Sequence, residues 1–495
     1  MATVTSFKSL SEQLLRDLQT LASESKRRSS DIKQACEKSI EILKRSHSVQ
    51  DLSRHPDFVD PFISACMSGN AKLTSISMQS LQRISGIRCV FPEKIGALLG
   101  ALLRATELAI DIQLKVLQLI PKLFKTYADI ITGKLLALLF QCCTQLLQQP
   151  NRTSVLLGTV SATLQQLVNE VFDRCNVESD AAETATVPIA NDKLISVNSY
   201  RNDTHIVLMN LSQLNDPHQY DNAIIDVKHV PEDCVLEILE FVLSNHSSSI
   251  CKFEDLLYVL RTKVVPLLLR IFSSSKSFPI VVRTARCANL LISMQFFEHL
   301  ELELEIMLWL LVHTLSKESD SPMWKSIISF EIFENSTKDP ELIAKIFESY
   351  DIFEDRKDIC SSLLSAINTY VNSPEFEGIL NESDILLKGD TLIITPDNNT
   401  TRVSILNTLD KNTPPLIDQT YVVFFLLSIS NNFSDGIGDL TSSNDCFVKL
   451  EQSGDHKGES HEENPSKGAD VLRKLYETSY PLLFGIHKKF LYSTT

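Results

Sequence analysis

The chain has 495 residues, 43% of them hydrophobic and 22% charged, and carries a formal net charge of −15. This is the composition of a folded protein long enough for several core-bearing units or one extended array. The acidic balance excludes nonspecific nucleic-acid binding by bulk charge, and only 14 Gly, with Pro mostly at segment edges, favours helices over a turn-rich β architecture.

Phe7 to Arg28 is amphipathic, with Leu10, Leu14, Leu18 and Leu21 on one stripe. Ser30 or Asp31 caps a second helix, Ile32 to Arg45. Between them Lys26, Arg27 and Arg28 form a small basic knot. Such a run ordinarily solvates a helix end; the sharper alternative is contact with anionic lipid or a partner. Pro56 to Gly69 and Lys72 to Ile84 are shorter helices. Pro92 to Gln149 is the most strongly helical stretch. From Glu107 to Leu123 the polar residues fall at 107, 111, 115, 118 and 122, one wet stripe on an otherwise apolar helix. Asp111 and Lys115 are spaced for an i, i+4 ion pair. A helix this apolar must be covered on more than one side, as in stacked layers. Gly96 and Gly100 predict close helix packing. Asn151 to Cys175 is another long helix, and the acidic stretch Asn176 to Asp192 reads as a linker.

Helical patterning resumes near Ser196 and is clear by Glu232 to Leu243, then Phe253 to Phe272, Pro279 to Phe297 and Leu300 to Leu315. Pro322 to Cys360 predicts two helices and a corner. Pro322 suits a first helical turn, and Trp324, Ile327, Ile328, Phe330, Glu331 and Phe333 follow at helical spacing. Asp339 caps the second helix, with Pro340 at its first position and Glu341 in its first turn. At its exit stand Ser349, Tyr350 and Asp351. An Asp beside an aromatic there can accept neighbouring N–H groups and lock the corner. Tyr350 and Asp351 therefore read as braces of the fold ahead of partner contacts. Trp324→Ala, as a large-to-small core change, is expected to cost ~3–5 kcal/mol. Ile359 to Val371 is helical. Phe376 to Pro415 is irregular, with a turn at Asp397, Asn398 and Asn399. Pro415 to Ile429 is apolar, Asp435 to Gly468 reads as a mobile acidic loop, and Asp470 to Tyr492 as a last helix interrupted at Pro481.

Helix follows helix with short joints, in pairs of roughly forty residues, the pattern of an all-α solenoid of HEAT or armadillo type. The expected organisation is a helical repeat domain over 1–176, an acidic linker over 177–195, a second helical repeat domain over 196–433, an acidic loop over 434–468 and a helical segment over 469–495.

No reactive constellation emerges. There is no phosphate loop, no H-E-x-x-H and no G-x-S-x-G. Gly436-Ile437-Gly438 is a lone G-x-G. His456 and His461 stand among Glu459, Glu462 and Glu463, which reads as solvated loop ahead of a weak metal site. Glu303 and Glu305 fall on different sides of a helix, unsuited to shared acid–base work. The 11 Cys include no Cys-x-x-Cys pair, and adjacent Cys142 and Cys143 point about 100° apart on a helix. They read as small hydrophobes in a reducing compartment. No apolar h-region opens the chain, so no signal peptide is expected, and no run reaches the ~20 apolar residues of a membrane span. The expectation is no enzyme, cofactor or metal, and peripheral membrane contact at most.

Ordered motifs carry a family resemblance. Leu14-Leu15-Arg16-Asp17-Leu18 through Ser39-Ile40 resembles the start of the dimerisation and cyclophilin-binding (DCB) domain of the Mon-two Golgi-trafficking scaffolds, relatives of the large Arf guanine-nucleotide exchange factors. Asp111 to Lys115, Ala162 to Val168 and Val171-Phe172-Asp173 are similar to its later motifs. Phe253, Leu256-Leu257, Val264 and Pro266-Leu267 resemble the opening of the homology-upstream (HUS) domain. Pro322, Trp324, Glu331, Pro340-Glu341-Leu342 and Ser349-Tyr350-Asp351 resemble its signature corner. Ser349 and Ile352 stand where the exchange factors carry Asn and Cys, which sides with the Mon-two branch. The resemblance implies a non-enzymatic scaffold on the cytoplasmic face of trans-Golgi and endosomal membranes and in the cytosol. It implies a Dopey-family protein, an Arf-like GTPase and a phospholipid flippase as partners, a possible homodimer, and a chain that continues beyond this length. The rival readings are the regulatory half of a large Arf exchange factor, an enzyme regulatory subunit and a general HEAT adaptor.

Overall fold

The computed structural model describes residues 2–25, 30–148, 153–177, 185–214, 223–316, 321–373, 385–388, 391–394, 404–417, 419–442 and 466–493. Lys26, Arg27, Arg28, the Asp397–Asn399 turn, and His456 and His461 lie outside them. The chain forms two compact units, Met1–Lys263 and Val264–Thr495.

The first unit is built from α1 (Ala2–Ser25), α2 (Ser30–Arg45), α3 (Val49–Leu52), α4 (Asp60–Met67), α5 (Ala71–Ile84), α6 (Ile95–Ala105), α7 (Ile110–Thr126), α8 (Gly133–Leu147), α9 (Ser154–Cys175), α10 (Ser199–Ser212), α11 (Glu232–Asn245), α12 (Ser247–Lys252) and α13 (Glu254–Val259). Leu14, Leu18 and Leu21 of α1 are fully buried, as their stripe requires. Local chemistry starts several of these helices. The Asn70 side chain accepts the N–H groups of Lys72 and Leu73, and Thr153 and Asn198 do the same for α9 and α10. The packing runs in two interleaved series. α2, α4, α6 and α8 pack one on the next, as do α5, α7 and α9, so most helices rest on the helix two before them. That is the stacking of helix pairs in which each pair buries its face only against its neighbours.

On α7, Ile112, Val116, Leu117, Ile120, Leu123 and Phe124 are buried, while Asp111, Gln118 and Lys122 are exposed. The expected Asp111–Lys115 ion pair does not form; the Lys115 ammonium donates to the Ser75 hydroxyl on α5 at 3.0 Å. A methyl group at Gly96 would meet Leu135 at 3.2 Å, whereas one at Gly100 would meet open space, so only Gly96 serves close packing. The expected linker also holds structure. β1 (Ala185–Pro188) and β2 (Leu194–Val197) pair antiparallel, with Asn191 at positive φ in the joint, a conformation that Asn tolerates. Val187, Ile189 and Val197 are buried there, a short β alternation that the acidic composition around it concealed.

The second unit contains α14 (Val265–Ser274), α15 (Phe278–Leu291), α16 (Met294–Leu315), α17 (Met323–Thr337), α18 (Pro340–Ile346) running into a π-helical turn at Phe347–Asp351, α19 (Ile359–Val371), α20 (Gln419–Ser442) and α21 (Ser466–Ser493). α14, α16, α19 and α21 follow one another in one layer; α15, α17 and α20 form the other. The fold is an all-α array of HEAT-like helix pairs. Three expectations change here. The break expected between Phe297 and Leu300 is a kink at Leu300 inside α16, while the true joint lies at Ile292–Ser293. Asp435 to Ser442 is not loop but the end of α20, because Phe433, Ile437 and Leu440 recur at helical spacing and are buried. Pro481 does not interrupt the last helix: α21 runs through it, held by buried Leu475, Leu483 and Ile486. Within the expected irregular stretch, β3 (Ile385–Lys388) and β4 (Thr391–Ile394) form a second hairpin. Among the described residues, no helix is long and apolar enough to cross a membrane.

Candidate functional site

Glu331 stands on α17 and is 3% exposed. A carboxylate so placed needs a full set of donors. Its Oε1 accepts the Ile405 N–H at 2.7 Å and the Tyr421 hydroxyl at 2.9 Å, and its Oε2 accepts the Ser404 hydroxyl at 2.7 Å and the Leu406 N–H at 2.9 Å. Glu331 therefore pins the short turn at Ile405–Asn407 and the start of α20 against α17. It is a brace, closed to any partner.

Trp324 is not a core residue. It is half-buried, its ring edge-on to Phe278 with centroids 5.4 Å apart, and it lines a shallow cleft with Ser273 to Lys276. The buried neighbour is Lys325, whose ammonium donates to the Phe272 carbonyl at 2.9 Å; burial holds its pKa below the usual range. The helix turns Lys325, Ile327 and Ile328 inward, leaving Trp324 at the rim.

Tyr350 and Asp351 end the π-helical turn. Tyr350 is fully buried; its hydroxyl donates to the Glu301 carbonyl on α16 at 2.7 Å, and its ring lies 5.7 Å from Phe297. Asp351 caps α19. Its Oδ2 accepts the N–H groups of Ile359 and Cys360, each at 3.0 Å, and its Oδ1 accepts the Ser361 N–H and hydroxyl, each at 2.8 Å. Burial raises the Asp351 carboxyl, while these bonds pull the other way. The joint between is tied to α16 as well. Arg356 donates to Glu305 at 2.9 Å and to Glu301 at 3.3 Å, and the Lys357 N–H donates to Glu305 at 3.0 Å. Tyr350, Arg356 and the Lys357 N–H fasten this corner to α16, and Asp351 fastens it to the start of α19.

Between these two helices lies a groove of about 740 Å³, lined by Trp309, Val312 and His313 on one wall and by Ser362, Ser365 and Tyr370 on the other. Ser361, held by Asp351, also lines it. The corner thus sets the spacing of the groove walls. Leading into the groove along α16 is an apolar ridge: Leu302 is 53% exposed, Ile306 59% and Trp309 36%. Leu304, Leu308 and Leu311 of the same helix are buried inward. α16 is thus apolar on two faces, and among the described residues one is packed inward while Leu302, Ile306 and Trp309 of the other are exposed. The sequence reading placed this helix without marking its second stripe, although the run from Met307 to Val312 carries no polar break to solvate an outward face.

The described residues hold no group of His, Cys, Asp or Glu that could take a metal ion. Burial pushes the thiols of Cys66, Cys89 and Cys142 up to about 12, the opposite of a nucleophilic cysteine. One buried carboxyl is unusual. Asp203 on α10 accepts the Gly133 N–H at 3.0 Å, and burial pushes its pKa up to about 7, against the pull of that bond and of Arg174. It joins α10 to the start of α8 and lines a small crevice with Leu136, Val171, Arg174 and Tyr200.

Stacked helix pairs, with a groove and an outward apolar ridge among the described residues, define a helical-repeat protein. Two family models match the chain. Residues 5–179 match the Mon2/Sec7/BIG1-like dimerisation and cyclophilin-binding domain, and residues 200–359 match the Mon2/Sec7/BIG1-like HUS domain. The chain is 40% identical to Protein MON2 of Saccharomyces cerevisiae over 99% of its own length and 30% of that protein. It is 25% identical to the human MON2 homologue over 74% of this chain and 23% of that protein. The chain belongs to the Mon2/Sec7/BIG1-like family, and it spans less than a third of the length of these relatives. Among solved structures, importin beta superposes with a TM-score of 0.31 at 8% identity, over 91% of this chain and 57% of that one.

Proposed function

We propose that the chain is part of a non-enzymatic scaffold for vesicle-mediated transport between the trans-Golgi and endosomes, acting from the cytosol on the cytoplasmic face of those membranes. An Arf-like GTPase, a Dopey-family protein and a phospholipid flippase are its proposed partners. The observation that carries the reading is the apolar face of α16 exposed among the described residues beside its groove, in a protein of the Mon2/Sec7/BIG1-like family. Helical-repeat surfaces of this kind bind partners by shape and charge and need no reactive group. Residues 5–179 match a dimerisation and cyclophilin-binding domain, which supports a homodimer through the first unit. The test is capture of purified Arf-like GTPases by the chain, in GTP- and GDP-locked forms. Retention of one GTPase in its GTP form supports the reading; equal or no retention of every form contradicts it. The second reading, a regulatory part of an Arf exchange factor, is favoured by the domain models' inclusion of Sec7- and BIG1-like proteins. A chain that changes nucleotide release by an adjoining exchange domain would support it.

A further inference from the structure

We propose that the α16–α19 groove receives a basic amphipathic helix from a partner protein. The inference deepens the scaffold reading and rests on it for its biology, but not for its test. The ridge Leu302, Ile306 and Trp309 is spaced four and three residues apart, so its side chains stand in one row along α16. With His313 one turn further, the row extends over roughly 16 Å, about three helical turns. A partner helix of matching length presents apolar residues at i, i+3, i+4 and i+7 to such a row. The opposite wall is lined by Ser362, Ser365 and Thr369 of α19, short side chains that leave room for a helix to approach.

Charge selects the occupant. Glu298 is exposed just before the kink at Leu300. Glu301 is exposed beside it, and Glu354, Asp355 and Asp358 are exposed on the bordering joint. Two cations stand against these five carboxylates. Arg356 is engaged by Glu301 and Glu305, and the Lys357 ammonium sits 5.0 Å from the Trp309 ring. The rim is therefore net negative and favours a helix with Lys or Arg flanking its apolar stripe. The same charge argues against self-occupancy. Residues 374–384 carry Glu375, Glu377, Glu382 and Asp384 with no Lys or Arg, and residues 443–465 carry six acidic residues against Lys449 and Lys457. A second copy would bring the same acidic rim against itself.

The test uses a fluorescein-labelled synthetic peptide of about 18 residues, with Leu on one helical stripe and Lys on its flanks. Two controls accompany it: one replaces Lys by Glu, the other keeps the composition but scatters the Leu. Binding to the whole chain is followed by fluorescence anisotropy. The expected result is saturable binding of the basic helix, weakened at least about tenfold in both control peptides. Ile306→Asp and Trp309→Ala should each weaken it by a similar factor, while Leu194→Asp, an exposed apolar site elsewhere, leaves it unchanged. Ile306→Asp adds negative charge, so a nonspecific attraction of Lys to an acidic protein would rise, not fall. Unaltered melting of the variants excludes misfolding as the cause. The proposal is overturned if the basic helix does not bind, if the Glu peptide binds as well, or if the ridge variants bind as tightly as the parent chain. It is also overturned if those variants lose only flotation with anionic vesicles, which would make the ridge a lipid contact. Failure here leaves GTP-dependent GTPase capture standing, and failure of that capture leaves the groove standing.

Discussion

Asp351 gathers three backbone N–H groups and one hydroxyl at the first turn of α19. Its removal would strand those donors in a partly buried corner, where an unmet donor costs more than a hydrogen bond contributes. Asp351→Ala is expected to destabilise the second unit by about 2–4 kcal/mol, read as a lower urea midpoint, and to weaken the basic helical probe by loosening the groove wall. Trp324→Ala should cost only about 1–2 kcal/mol, since a half-buried ring on one aromatic neighbour loses less than a core ring. Thermal unfolding of that variant separates the rim position from the core position first expected. Asp203 supplies a pH dependence. Its folded-state value of about 7 lies above the unfolded carboxyl near ~4, so the native chain holds a proton that the unfolded chain has released. Stability from this group is complete below about pH 4 and is lost as pH rises through 7. Asp203→Asn keeps a neutral acceptor for the Gly133 N–H. It is expected to flatten that decline and to stabilise the chain at pH ~8 by up to about 4 kcal/mol, measured as urea midpoints at both ends of the range. The sequence pointed to Asp351 because Asp beside an aromatic at a helix exit has few other uses. It gave no sign that Glu331 finds its four donors 73 to 90 residues further along the chain, at Ser404, Ile405, Leu406 and Tyr421.

At the scale of elements, helices were legible where a cap met a periodic apolar run, as at Asp339 for α18. They were not legible where composition and packing disagreed. The end of α20 is polar by count, yet Phe433, Ile437 and Leu440 suffice to hold it helical, and α21 keeps its axis through Pro481 because its apolar face is buried on both sides of that residue. The β1–β2 hairpin was hidden by its short strands. α16 is the most instructive case. A stripe argument looks for one face, and this helix has two. The inward face of Leu304, Leu308 and Leu311 supplies the packing, so the outward ridge is dispensable for folding. Ile306→Asp is therefore expected to change stability by no more than about 0.5 kcal/mol, as an exposed substitution away from any hydrogen bond. A loss of several kcal/mol in urea unfolding would mean that the ridge is covered in the native chain.

At the scale of the molecule, each helix pair buries a face against its neighbours and leaves its outer face to solvent. The corner at Ser349 to Ser361 is then best understood through what it holds in place: Tyr350 and Arg356 grip α16, Asp351 grips α19, and the space between them is a groove. The most direct test is made in the full-length protein carrying Leu302→Asp and Ile306→Asp together, expressed in cells that lack their own copy, with recycling of a cargo receptor between endosomes and the trans-Golgi as the readout. The expected result is a protein at normal abundance and melting temperature that fails to restore recycling. Full recycling by that variant at normal abundance would contradict the claim that this outward helical face is what the cell uses.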